Sequence, residues 1–62
     1  MEDLRELLNK HIGDCMEERD GRFYPTEEGC ARLKRILLSY GYSVRVSIDE
    51  NNQFDIKPIN TQ

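Results

Sequence analysis

Apolar positions in the first third of the chain recur with a helical period. Within residues 2–17 they are spaced three or four apart and form one stripe, which consists of Leu4, Leu7, Leu8, His11, Ile12 and Cys15. Acidic residues in the first turn suit the positive end of a helix dipole. The pattern predicts an amphipathic helix over residues 2–17, which ends before the turn dipeptide Asp20-Gly21.

A second helical pattern begins after Pro25. Thr26 is a typical N-cap residue, and the spacing predicts a helix from Glu27 to Tyr40. Its apolar stripe is Cys30, Leu33, Ile36, Leu37 and Tyr40. Gly41 follows where a left-handed C-terminal residue is expected. Residues 22–24, just before this helix, are predicted to form a short strand or an extended bridge.

The last third of the chain alternates with a period of two, which is typical of strands. Residues 42–48 and 54–58 each place apolar side chains on one face. Both strands face the same core only if Ile48 lies opposite Phe54 and Val46 opposite Ile56. That register leaves a loop at 50–52 whose last residue, an asparagine, can adopt a left-handed conformation. Pro58 indicates an edge strand or a strand end.

These elements predict an α+β fold in a single small domain, 1–62. Two helices pack on one face of a small antiparallel sheet, in the order α-(β)-α-β-β, and the bracketed strand is an optional third. A chain of 62 residues with 37% hydrophobic residues excludes a dinucleotide domain, a barrel and a multilayer enzyme fold. No apolar run approaches the ~20 residues that span a bilayer, so no membrane association is expected.

The cysteine content and the acidic first residues predict in which cellular compartment the protein lies. The chain has two cysteines, Cys15 and Cys30, whereas secreted scaffolds of this size usually carry more. A signal peptide begins with basic residues and continues as an apolar run, which is not the pattern here. We therefore expect a cytoplasmic protein with two reduced thiols in its apolar stripes.

Candidate chemistry is sparse. His11 and Cys15 have a workable ligand spacing, and Cys30 lies on the apolar stripe of the second helix, where packing of the two stripes would turn it toward them. Structural zinc, however, requires four ligands. One histidine beside one cysteine, without a closed pocket, is a weak basis for nucleophilic catalysis. The sequence predicts no metal, no cofactor and no enzyme activity.

Charge and surplus apolar residues point to protein binding. The net charge is −3, composed of −4 over residues 1–20, +3 over 21–47 and −2 over 48–62. We predict a regulator, inhibitor or adaptor that occludes a partner protein, which acidic patches steer toward a basic surface. The predicted partner-binding residues are Glu2, Glu6, Leu38 and Ile59. A homodimer, formed through the last strand or through Leu38, is a further hypothesis.

The alternative function is nucleic-acid binding through Arg32, Arg35 and Arg45, which lie on the second helix and the following strand. The string Asp-Gly-Arg-Phe-Tyr-Pro-Thr-Glu-Glu-Gly, residues 20–29, resembles the strand-to-helix junction at the end of some winged-helix repressor domains. The resemblance covers about ten residues. It implies a recognition helix followed by a hairpin wing.

Overall fold

A computed structural model describes residues 3–59 of the chain. Its elements are α1 (Leu4–His11), a 3-10 turn (Ile12–Cys15), β1 (Met16–Arg19), β2 (Arg22–Pro25), α2 (Glu27–Ser39), β3 (Val44–Ile48) and β4 (Phe54–Pro58). The α+β class is as predicted. The strands form two separate antiparallel sheets, β1 with β2 and β3 with β4.

The first helix is shorter than the predicted 2–17. Asp3 caps α1 through its side chain, which accepts a hydrogen bond from the Glu6 backbone N–H at 2.9 Å. After His11 the backbone tightens into the 3-10 turn that contains Gly13 and then becomes extended at Met16. The helical period of the apolar positions therefore continues past the end of the helix, and Cys15 is buried from the turn instead.

The hairpin of β1 and β2 replaces the end of the predicted helix. Asp20 and Gly21 both have positive φ, 51° and 78°, as a two-residue type I′ turn requires. This turn pairs Arg19 with Arg22 and continues to Met16 opposite Pro25. The predicted strand near 22–24 is present, but it pairs with β1 rather than joining the C-terminal hairpin.

The second helix closely follows its prediction. The Thr26 hydroxyl accepts a hydrogen bond from the Gly29 N–H at 2.9 Å, which confirms the N-cap. At the other end Gly41 has φ of 94°, and its N–H donates to the Leu38 carbonyl at 2.9 Å while that of Tyr42 donates to the Leu37 carbonyl at 2.9 Å. These two bonds form a Schellman motif, which ends the helix one residue before the predicted Tyr40.

The C-terminal hairpin has the predicted register. Ile48 lies opposite Phe54, Val46 opposite Ile56, and Val44 opposite Pro58 at the strand end. The loop closes through Asp49, whose carboxylate accepts from the backbone N–H groups of Asn51 and Gln53. Asn52 has the expected positive φ, 61°.

The core lies around α2. Its fully buried residues, Leu33 and Leu37, join Leu7, Cys15 and Val44 in the buried cluster. α2 packs most extensively on β3 and on the 3-10 turn, and α1 contacts α2. The prediction of two helices on one face of a small sheet agrees with this arrangement only in part, because α2 packs on β3 whereas β2, the optional third strand, belongs to a separate sheet. Tyr40, predicted in the apolar stripe, is half exposed because the chain has already left the helix there.

Candidate interaction surfaces

In residues 3–59 the hairpin of β1 and β2, called the arm from here on, contacts the rest of the fold mainly at its base. Pro25 is buried and Met16 is half-buried, whereas the remaining residues of β1 and the tip of the turn are exposed. Outside the arm itself, the main contact of β1 is with the 3-10 turn that precedes it. The outer half of the arm is therefore a two-stranded ribbon in solvent.

Phe23 is the most exposed large apolar side chain among the described residues, at 60%. Its partner across the arm is Glu18, so it has no apolar neighbour directly opposite. An isolated two-stranded ribbon is only marginally stable in water, and exposed aromatic area at its edge adds to the cost. Contact with another molecule would remove that cost.

The backbone of β2 also has a free edge. Arg19 and Arg22 flank the two-residue turn and form the hydrogen-bonded pair, so the next pair, Glu18 and Phe23, is of the non-hydrogen-bonded type. The N–H and C=O of Phe23 consequently point away from β1. In residues 3–59 no third strand lies beside β2. Pro25 occupies another outward-pointing position, where its missing N–H leaves no ladder bond broken.

An open cleft of about 510 Å³ lies between β1 and the first turns of α2, and several of its polar groups bond to one another. Arg32 donates to the Asp14 carbonyl at 3.3 Å, Arg19 pairs with Glu17 at 3.0 Å, and Thr26 caps α2. Glu28 also lines the cleft, and its carboxylate forms no salt bridge with another described residue.

The two thiols are free, and they differ in exposure. Cys15 is buried behind the cleft, and Cys30 is half-buried on the side of α2 that faces β3. Burial raises the pKa of the Cys15 thiol, an effect that Arg32 partly offsets, and burial also raises the pKa of Cys30. Both groups are thus held as thiols rather than as reactive thiolates. Among the described residues, no three side chains of His, Cys, Asp or Glu come together as a metal site.

The sequence-predicted partner residues lie on different elements. Glu6 is exposed in the first turn of α1, Leu38 is 56% exposed on α2, and Ile59 is 37% exposed just after β4. Glu2 lies outside the described residues. The sequence reasoning missed Phe23, although a turn dipeptide beside an aromatic pair was available as a signal for the arm.

The three arginines of the nucleic-acid alternative are not on one surface. Arg32 and Arg35 are exposed on α2, which packs on the apolar face of β3. Arg45 alternates with Val44 and Val46 and so lies on the opposite face of that hairpin. The helix and the hairpin therefore present their basic residues to opposite sides of the molecule, and the alternative function stays a prediction.

The longest helix in the described part of the chain, α2, has 13 residues, and no helix there is long and apolar enough to cross a membrane. Comparisons with protein-family models, with curated proteins and with solved structures found no match to this chain.

Proposed function

We propose that this chain is a small non-enzymatic interaction module, a cytoplasmic regulator, inhibitor or adaptor, that binds a partner protein and occludes part of its surface. The observation that carries the proposal is the arm, which is anchored at its base and free at its tip. It combines an exposed aromatic side chain, Phe23, with an unpaired strand edge.

The edge of β2 suits β-augmentation, in which an extended segment of a partner adds a strand to a sheet. The outward N–H and C=O of Phe23 would pair with the partner backbone, and the aromatic ring would supply a side-chain anchor. Aromatic anchors contribute disproportionately to binding energy at protein interfaces. The two features lie on one residue, so a single substitution removes the anchor and leaves the backbone edge intact.

Charge near the arm favours a basic partner. Glu17 and Glu18 are consecutive exposed acids on β1, and Glu17 is already paired with Arg19. Glu18 stands directly across from Phe23 with no ion-pair partner among the described residues. A basic side chain beside the partner's docking segment would pair with Glu18, and the exposed Glu6 of α1 would add long-range steering.

Two further observations fit this role. Ile59 extends the apolar surface beyond β4 and is fixed there because its N–H donates to the Ser43 carbonyl at 3.0 Å. The two unpaired cysteines suit a reducing compartment such as the cytoplasm.

The proposal is tested by co-purification from the native host with two tagged variants, Phe23→Ser and Tyr40→Ser. Both remove an exposed aromatic ring, 60% and 50% exposed respectively, but only the first lies on the arm. We expect wild type and Tyr40→Ser to retain the same partner and Phe23→Ser to bind it at least about tenfold more weakly. Circular dichroism checks that both variants fold. Equal retention by both variants, or no specific partner for the wild type, would contradict the proposal.

A further inference from the structure

The outer face of α2 carries a pattern that is complementary to itself. Glu27, Ala31, Lys34 and Leu38 follow one another at spacings of three and four residues, and all are exposed. This stripe lies away from the buried Leu33 and Leu37 of the same helix. Along the helix, the stripe consists of an acidic residue, a small alanine, a basic residue and an apolar leucine. We call it the outer stripe.

We infer that the outer stripe is the interface of a two-fold homodimer, in which two copies of α2 pack antiparallel around Ala31. With Ala31 at the axis, Glu27 of one copy lies beside Lys34 of the second, and Glu28 lies beside Arg35, because a two-fold axis between antiparallel helices keeps equivalent flanks together. Two-fold symmetry repeats both pairs, so four oppositely charged pairs form. Leu38 then lies at the start of the second copy's α2, where part of its exposed surface is covered.

The charges of the outer face form no salt bridges within residues 3–59. Glu27 and Lys34 are seven positions apart, or about 10 Å along the helix, too far for an ion pair. In the part of the chain that the structure describes, none of Glu27, Glu28, Lys34 and Arg35 forms a salt bridge. A second copy satisfies all four at once, whereas parallel packing would place like charges together.

The small size of the core favours the same occupant. Within residues 3–59 the fully enclosed apolar cluster has only Leu7, Cys15, Leu33, Leu37 and Val44, and small domains without a staple often gain stability by association.

The dimer does not depend on the proposed partner binding, because the outer stripe does not include the edge of β2. Sedimentation equilibrium of the full chain over about a hundredfold concentration range tests it. We expect a monomer–dimer equilibrium that weakens with salt. A single monomer mass at every concentration overturns the inference, and a monomer that binds heparin through Lys34 and Arg35 would assign the stripe to nucleic acid instead.

Two charge-reversed variants make the test specific. Glu27→Lys/Glu28→Lys makes all four charged residues of the interface basic. Lys34→Glu/Arg35→Glu makes all four acidic. Each alone should dimerise at least about tenfold more weakly than wild type. Mixed one to one, they should form a heterodimer, because every contact is then between opposite charges. Recovery in the mixture also shows that both variants are folded, and its absence overturns the inference.

A charge change elsewhere on the surface serves as a control, and cysteine crosslinking tests the register of the two helices. Arg45→Glu/Lys57→Glu makes the same charge change as the acidic variant, but on the outer face of the β3–β4 hairpin, and should leave the dimer unchanged. Ala31→Cys should form an intermolecular disulfide on mild oxidation, since a residue on the axis meets its own copy. Ser39→Cys, also exposed on α2, should not. Equal crosslinking of the two positions would contradict the antiparallel register.

Discussion

Gly29 lies in a contact so close that even an alanine side chain should destabilise the fold. It lies in the first turns of α2, where the helix passes directly over the 3-10 turn. A Cβ added there would overlap the carbonyl oxygen of Cys15, lie 2.9 Å from its carbonyl carbon and 3.1 Å from the Thr26 hydroxyl. The first two of these atoms belong to backbone in a buried contact, so relief requires α2 to move away from the turn.

Gly29→Ala therefore sets two effects against each other. Replacing glycine by alanine inside a helix stabilises by about 1 kcal/mol, because glycine loses more backbone entropy on folding. Forcing extra volume into a packed contact costs about 1–3 kcal/mol, and the cost lies at or above the upper end where backbone atoms overlap. We expect a net loss of about 2 kcal/mol. For a domain whose total stability is about 3–9 kcal/mol, that loss is easily measured.

Gly13→Ala is the matched control. Gly13 has no atom within 4 Å of its added Cβ and does not have positive φ, so alanine fits there without strain. Urea unfolding followed by circular dichroism, at one protein concentration for all variants, should show a lower midpoint for Gly29→Ala and an equal or higher one for Gly13→Ala, with unchanged slopes. A Gly29→Ala protein as stable as wild type would refute the close approach of α2 to Cys15.

Three other predictions concern the core, the thiol and the loop. Leu33→Ala or Leu37→Ala should each cost about 2–5 kcal/mol in chemical denaturation because both are fully buried, whereas Leu38→Ala should cost less than about 1 kcal/mol; comparable losses at Leu37 and Leu38 would contradict the assigned core face. The raised pKa of Cys15 means that the folded state keeps a proton that the unfolded chain loses, so the free energy of unfolding should fall as pH rises through the ordinary thiol pKa near 9, and Cys15→Ala should reduce that slope. An unchanged slope in Cys15→Ala would count against this origin. Asp49→Ala should lower stability by about 1 kcal/mol because two backbone N–H groups lose their acceptor, whereas Glu50→Ala, in the same loop, should have little effect in thermal unfolding.

Local signals explain which parts of the fold could be predicted from the sequence. Thr26 and Gly41 bound α2 through their own hydrogen bonds and φ, and the alternation after Tyr42 determines the register of the last hairpin. Each of these signals acts within a few residues. The ends and pairing of these elements are therefore specified largely by the chain near them.

The first hairpin shows where local signals fail. Glu17 and Glu18 have low strand propensity, and the apolar spacing up to Cys15 continues a helical stripe. β1 is a strand because it pairs with β2 across Asp20-Gly21. The strand propensities of its individual residues do not predict this pairing. The exposure of Leu38 followed from the helical period alone. The exposure of Phe23 required knowing that the arm projects.

Site-specific photocrosslinking in the native host shows whether the arm contacts a partner protein. A photoreactive amino acid replaces Phe23 on the arm or, as a control, Lys57 on the exposed face of β4. We expect position 23 to yield a covalent adduct with one other protein, which Glu18→Lys weakens, and position 57 to yield none. Adducts from position 57 alone, or from neither position, would contradict the arm as the contact element. An adduct at position 23 that contains only a second copy of this chain would contradict it as well.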